Sequence, residues 1–213
     1  MQEVRPSILL TLVLALLVGC ENRCDSSRGD ATPEHRIARS LNRASEIATI
    51  IRVAFADVPY PGDANLRGSS EGDEPFLLEK EFVGRDDWQA LDPKFLDQAP
   101  ERLSSALSFF SDDAFRFYLP AYLIADLEKK LESADPVFHL CHGLDDASSN
   151  EAINPRRYGT ETWFEYAADR FSLFSKKQAI AIVAYLKFKA EQDRFERERI
   201  EQALDNYWRA AAE

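Results

Sequence analysis

A chain of 213 residues, 45% apolar and 30% charged, is the size of one ordinary domain or two small ones and can bury a core. Acids outnumber bases 37 to 26, a net charge of −11. This argues against nucleic-acid binding, which needs clustered Lys and Arg, and fits a soluble surface or one that meets a basic partner. Three cysteines are too few for a disulfide scaffold, and eight glycines exclude collagen-like classes.

Residues 8–18 read ILLTLVLALLV. As a helix this run covers roughly 16 Å, about half of a bilayer core, which is short for a membrane span and right for a signal-peptide core. It leads into Leu17-Val18-Gly19-Cys20, which resembles the lipobox of bacterial lipoprotein precursors. The resemblance implies that residues 1–19 are a signal peptide and that Cys20 is the lipid attachment site and new N-terminus. It also implies acyl chains such as palmitate and a cell-envelope location. Glu21 in place of Asp favours the outer membrane of a Gram-negative host. Residues 20–32 are small and polar and read as a tether. The protein is expected to be anchored to a membrane and not to span it.

Thr32-Pro33-Glu34 opens the first helix, with Thr as cap, Pro at the first position and Glu at the positive end of the dipole. Ile37, Leu41, Ala44, Ile47 and Ile51 form one helical stripe ending near Ala56. Residues 57–75 are too rich in Pro and Gly for regular structure. Glu74–Val83 reads as a short strand or an irregular segment, with Trp88 and Leu91 as anchors. Asp92-Pro93 and Ala99-Pro100 each start a short helix, the second carrying Leu103, Leu107 and Phe110. Ser111-Asp112-Asp113 starts a helix that runs to Leu131 at helical period, interrupted at Pro120. The restriction that proline puts on its predecessor favours two short helices there. Residues 133–160 read mostly as loop. Thr160 or Thr162 caps a helix with Trp163, Phe164, Tyr166, Ala167 and Phe171. Ser175 caps the last and longest helix, which closes on Ile200, Leu204, Tyr207 and Trp208, with Arg194–Glu198 and Arg197–Glu201 as surface pairs.

AFADVPYPG at 54–62, SDDAFRFYLPAYL at 111–123 and Phe174-Ser175 with Gln178 together resemble an uncharacterised bacterial family, the domain-of-unknown-function family 6714. The likeness covers roughly residues 37–208. YLPAYL, Tyr118 to Leu123, is its most specific element, and Trp88 and Tyr207-Trp208 fit as well. The resemblance implies a compact, largely helical domain and no assigned activity.

His139-Leu140-Cys141-His142 is the only cluster of soft ligands. A metal needs three or four converging donors; His35 is the only other histidine, Cys24 lies in the tether, and a carboxylate could complete the set but nothing specifies which one, so no metal and no cofactor is expected. Cys141 could serve as a thiol nucleophile beside a histidine. On an extended segment His139 shares its face and His142 does not. The acid pairs Asp86-Asp87, Asp112-Asp113 and Asp145-Asp146 are explained by helix starts and acidic loops. Most aromatics lie at helical spacing and read as core, with Tyr60 in its Pro-Gly loop as the exposed exception.

These features predict a mainly α fold: one compact helical domain over 33–213 with irregular loops, leaving room for one short strand pair. The acid excess is greatest in 57–101, with 12 acids against 4 bases. The expected role is a non-enzymatic interaction module that presents this acidic face to a protein partner. An immunity-type protein neutralising a basic toxin and a hydrolase using Cys141 or His139 are the alternatives.

Overall fold

A computed structural model describes residues 32–213. The expected signal peptide, Cys20, Cys24 and all of the expected tether but Thr32 lie outside the described residues. The compact unit runs from Arg39 to Glu213. Residues 32–38 are the start of a helix, where the N–H of His35 lies 3.4 Å from Thr32 Oγ1, as a Thr cap requires.

The domain is mainly α-helical. Helix α1 spans Pro33–Phe55, α2 Glu74–Phe82, α3 Pro93–Gln98, α4 Ala106–Phe109, α5 Asp112–Leu127 and α6 Pro136–Cys141. Then follow α7 Pro155–Tyr158, α8 Trp163–Phe171, α9 Lys176–Gln192 and α10 Arg197–Ala203. A π-helical turn, Leu204–Trp208, leads into α11, Arg209–Ala211. Among the described residues there is no strand pair, only the isolated bridges Arg67–Phe110 and Ala152–Thr162.

Helix α5 is the centre of the core. Nearly every side chain from Ala114 to Leu127 is buried, so it is apolar all round and must be covered on every side. Ser111 caps it, its Oγ accepting the N–H of Ala114 at 3.1 Å. It runs through Pro120 as one helix, where two were expected. Proline costs about 3 kcal/mol in a helix interior. Burial of Phe117, Tyr118, Leu119, Tyr122 and Leu123 around it, at roughly 1.5–3 kcal/mol each, outweighs that cost.

Polar ties hold other helices to α5. Ser175 and Gln178 form a capping box at the start of α9, and Gln178 Oε1 also accepts Arg116 Nε at 3.1 Å. At the other end Asp126 accepts Tyr185 Oη at 2.6 Å and pairs with Lys189 at 2.8 Å. In α3, Asp97 Oδ1 accepts the backbone N–H groups of Glu132, Ser133 and Ala134 at 2.8–2.9 Å, fixing the turn before α6.

Several expectations change. Ala44, Ile47 and Ile51 of the α1 stripe are buried, but Ile37 and Leu41 are each 60% exposed. Glu74–Phe82 is a helix, with Pro75 in its first turn and Leu78 and Phe82 buried. No helix starts at Pro100; the chain turns, and α4 begins at Ala106 with Leu103 exposed. Pro136–Cys141, within the stretch that reads mostly as loop, is a helix capped by Asp135. The C-terminal helix is broken at 193–196, so α1 is longer than α9. At the break the Asp193 carboxylate takes the N–H groups of Phe195 and Glu196, and the helix restarts at Arg197. The expected surface pairs give way with it. Arg197 Nε donates to the carbonyl of Ala190, and Glu201 pairs with Arg209. Tyr60 is half-buried, edge-on against Phe117 at 5.4 Å, and donates to Asp63 Oδ1 at 2.5 Å.

Candidate functional site

One member of each acid pair has a structural role. Asp112 sits in the first turn of α5 beside Arg170 at 3.0 Å. Asp87 caps a 3-10 turn through Gln89 N–H, and buried Asp145 accepts the N–H groups of Ala147 and Ser148. Among the described residues no three of His, Cys, Asp and Glu come together as a metal site.

The thiol reading rested on an extended backbone at 139–142. The backbone there is helical through Cys141. Two residues on a helix lie ~200° apart, so His139 and Cys141 face opposite ways. Cys141 is fully buried, and burial pushes its thiol up to about 12. A thiol so protonated and so enclosed is a poor nucleophile. Cys141 is therefore expected to remain unmodified by iodoacetamide in the folded protein and to react in 6–8 M urea, roughly the range that unfolds small domains. Mass spectrometry of the 141-containing peptide checks this, and rapid native alkylation would restore the thiol reading.

His139 and His142 are three residues apart, and both line one cavity of about 260 Å³. Its other walls include Trp163, Tyr166 and Arg170 of α8, with Ser108 of α4 and Ile153. The local sequence builds this meeting. Thr162 and Glu165 form a capping box that fixes the start of α8. Gly143 ends the α6 turn at φ +85, and a Cβ there would lie 2.5 Å from the Trp163 carbonyl oxygen. Glycine is thus what lets the end of α6 press against the start of α8.

The rings are in register. Phe138 stacks on His142 at 5.0 Å, His142 contacts Trp163 at 4.6 Å, and Trp163 meets Tyr166 edge-on at 5.9 Å. Arg170 is buried. Its Nη2 donates to the Phe110 carbonyl at 2.9 Å, its Nε faces Asp112, and its guanidinium lies over Phe115 at 4.1 Å. Burial, with Arg170 and His142 nearby, pushes His139 down to about 4, so it is neutral at pH 7. Sequence reasoning named the two histidines but placed Trp163 and Tyr166 in the core and missed Arg170. The signal was a cation at the place in the 163–167–170–171 stripe where an apolar residue would continue it.

Fold and site together define a mainly α-helical domain with an aromatic-walled, cation-bearing cavity. The chain belongs to the family of unknown function DUF6714, whose model matches residues 43–212. No curated protein and no solved structure matches the chain.

Proposed function

We propose that this protein is a non-enzymatic interaction module, anchored to a bacterial membrane by a lipid on Cys20, whose acid-rich 57–101 segment meets a basic protein partner. The observation that carries the reading is the loop at the end of that segment. Glu101, Arg102 and Ser104 all have positive φ, at 45, 68 and 55°. Such values cost non-glycine residues on the order of 1–3 kcal/mol each and persist where the surroundings impose them. Here Glu101 N–H is held by Glu81 Oε1 at 3.0 Å and Ser104 Oγ by the Asp97 carbonyl at 2.6 Å. The rigid loop leaves Leu103 52% exposed beside Glu101. An apolar tip on a strained, fixed backbone is useful for contact and costly without it.

Part of the acidity is internal. Asp57 pairs with Lys177, Glu79 with Arg67, and Asp63, Asp87, Asp92 and Asp97 accept backbone N–H groups. Asp73, Asp86 and Glu101 stay exposed for a partner.

The test is cross-linked affinity capture from native membranes, with a tag beyond Glu213 and palmitate labelling. The natural chain is expected to carry label and recover one stoichiometric partner. Cys20→Ser should lose the label, and Leu103→Asp should lose the partner. An unlabelled natural chain would overturn the anchor, and undiminished capture by Leu103→Asp would overturn the loop.

A further inference from the structure

We propose that the cavity between α6 and α8 is a binding site for a small ligand that carries a carboxylate on a flat apolar group. It stands apart from the partner-binding reading and uses none of the same residues.

Three observations carry it. The first is charge. In a chain of net charge −11, no Asp or Glu is among the described residues lining this cavity, whereas the Arg170 guanidinium is. The site is the inverse of the molecule's surface, and a low-dielectric wall strengthens its pull on an anion.

The second is unspent hydrogen-bonding capacity. Elsewhere in this core several aromatic tips are paired, Trp208 Nε1 donating to Leu140 O, Tyr185 to Asp126 and Tyr118 to Arg85 O, although the buried Tyr122 hydroxyl has no partner among the described residues. Around the cavity, the rings of His139 and His142, Trp163 Nε1 and Tyr166 Oη have no hydrogen-bond partner among the described residues. Half-buried polar groups that line a cavity without protein partners are available to orient a ligand.

The third is preorganisation. Arg170 is only 7% exposed, held by the Phe110 carbonyl and stacked on Phe115. Asp112, itself half exposed, supplies its one described carboxylate contact. A fixed guanidinium donates to carboxylate oxygens with little further entropy loss. Trp163, Tyr166 and Phe138 then cover the faces of a ring. A cavity of about 260 Å³ is smaller than drug-sized sites of ~300–1,000 Å³. That limits the occupant to about one ring and its acid group.

The acid could come as a free small molecule or as the terminal carboxylate of a peptide ending in an aromatic residue. Titration calorimetry and tryptophan fluorescence on the purified full chain separate the possibilities, with phenylacetate, phenylacetamide and phenethylamine as probes. Phenylacetate is expected to saturate and to bind at least about tenfold tighter than its neutral amide, as a charge-assisted contact demands. Phenethylamine should not bind. Arg170→Gln should erase the preference for acid over amide, and Trp163→Phe should remove the fluorescence response while heat of binding persists. Should Arg170→Gln fail to fold, the acid–amide comparison in the natural chain decides alone. Equal binding of acid and amide, no saturable heat, or a fluorescence response that survives Trp163→Phe would overturn the proposal. An acetylated dipeptide ending in Phe that binds tighter than phenylacetate, and loses binding on C-terminal amidation, identifies a peptide end. The reverse order identifies a free acid.

Discussion

Trp208→Ala is expected to destabilise the domain by about 3–5 kcal/mol, the range for truncating a fully buried aromatic side chain. Trp208 has no exposed surface and is ringed by Phe171 at 4.7 Å, Phe174 at 6.0 Å and Tyr207 at 5.2 Å. Its Nε1 also satisfies the buried end of α6 by donating to Leu140 O at 2.9 Å. Marginal stability makes such a loss a large share of the total. Trp208→Phe separates the two contributions: it keeps most of the packing and gives up the hydrogen bond, at about 1–3 kcal/mol. Urea midpoints of the three proteins at neutral pH check this. A Trp208→Ala midpoint within error of the natural chain would show that the core closes without it.

Asp97→Ala is the second large effect, at about 3 kcal/mol. One carboxylate oxygen accepts three consecutive N–H groups, from Glu132, Ser133 and Ala134. The Ala134 bond is buried and the other two are partly so, and an orphaned buried donor costs about 1–3 kcal/mol where water cannot replace its partner. The effect depends on pH in a definite direction. Burial raises the Asp97 pKa, but the three N–H bonds outweigh it and hold the carboxyl below its usual range. With the folded pKa lowered, the unfolded chain takes up the proton first. The stabilisation is therefore complete above the unfolded value of ~3.9 and is lost as pH falls through the folded value. Stability of the natural chain should drop through that acid window more steeply than that of Asp97→Asn. Parallel pH profiles for the two would remove Asp97 from the acid response.

Helix starts were legible because capping chemistry is local. Thr32, Asp92, Ser111 and Ser175 open helices where the sequence puts them, and Thr162 is the one of the two threonines offered that caps α8, while the start expected at Pro100 fails. Helix interiors were less so. Pro120 has a local reading, two helices, that loses to the burial of its neighbours from all sides, and burial is set by segments far away in the chain. At the break after Gln192 a side chain also takes backbone partners, those of residues 195 and 196, over solvent. At the cavity, sequence could show that two histidines lie close together. It could not show which face of a six-residue helix each would take, because that depends on knowing that 136–141 is a helix at all. Arg170 was hidden for a further reason: on a helix face its meaning comes from the Phe110 carbonyl and Asp112, ~60 residues earlier.

The placement of Trp208 bears on when the domain can come into being. A helical protein whose contacts are local can fold piecewise as the ribosome extends it. Here the carbonyl of Leu140 waits 68 residues for its donor, Arg116 waits 62 for Gln178, and Phe110 waits 60 for Arg170. Helix α5, the most apolar segment of the domain, emerges after Phe82, Trp88 and α3, which pack against part of it, but before α8 and α9, which meet it through Phe171, Gln178 and Tyr185. Until those later segments are synthesised, the nascent chain carries a half-covered hydrophobic rod, a natural substrate for a chaperone and a form still loose enough to be threaded elsewhere.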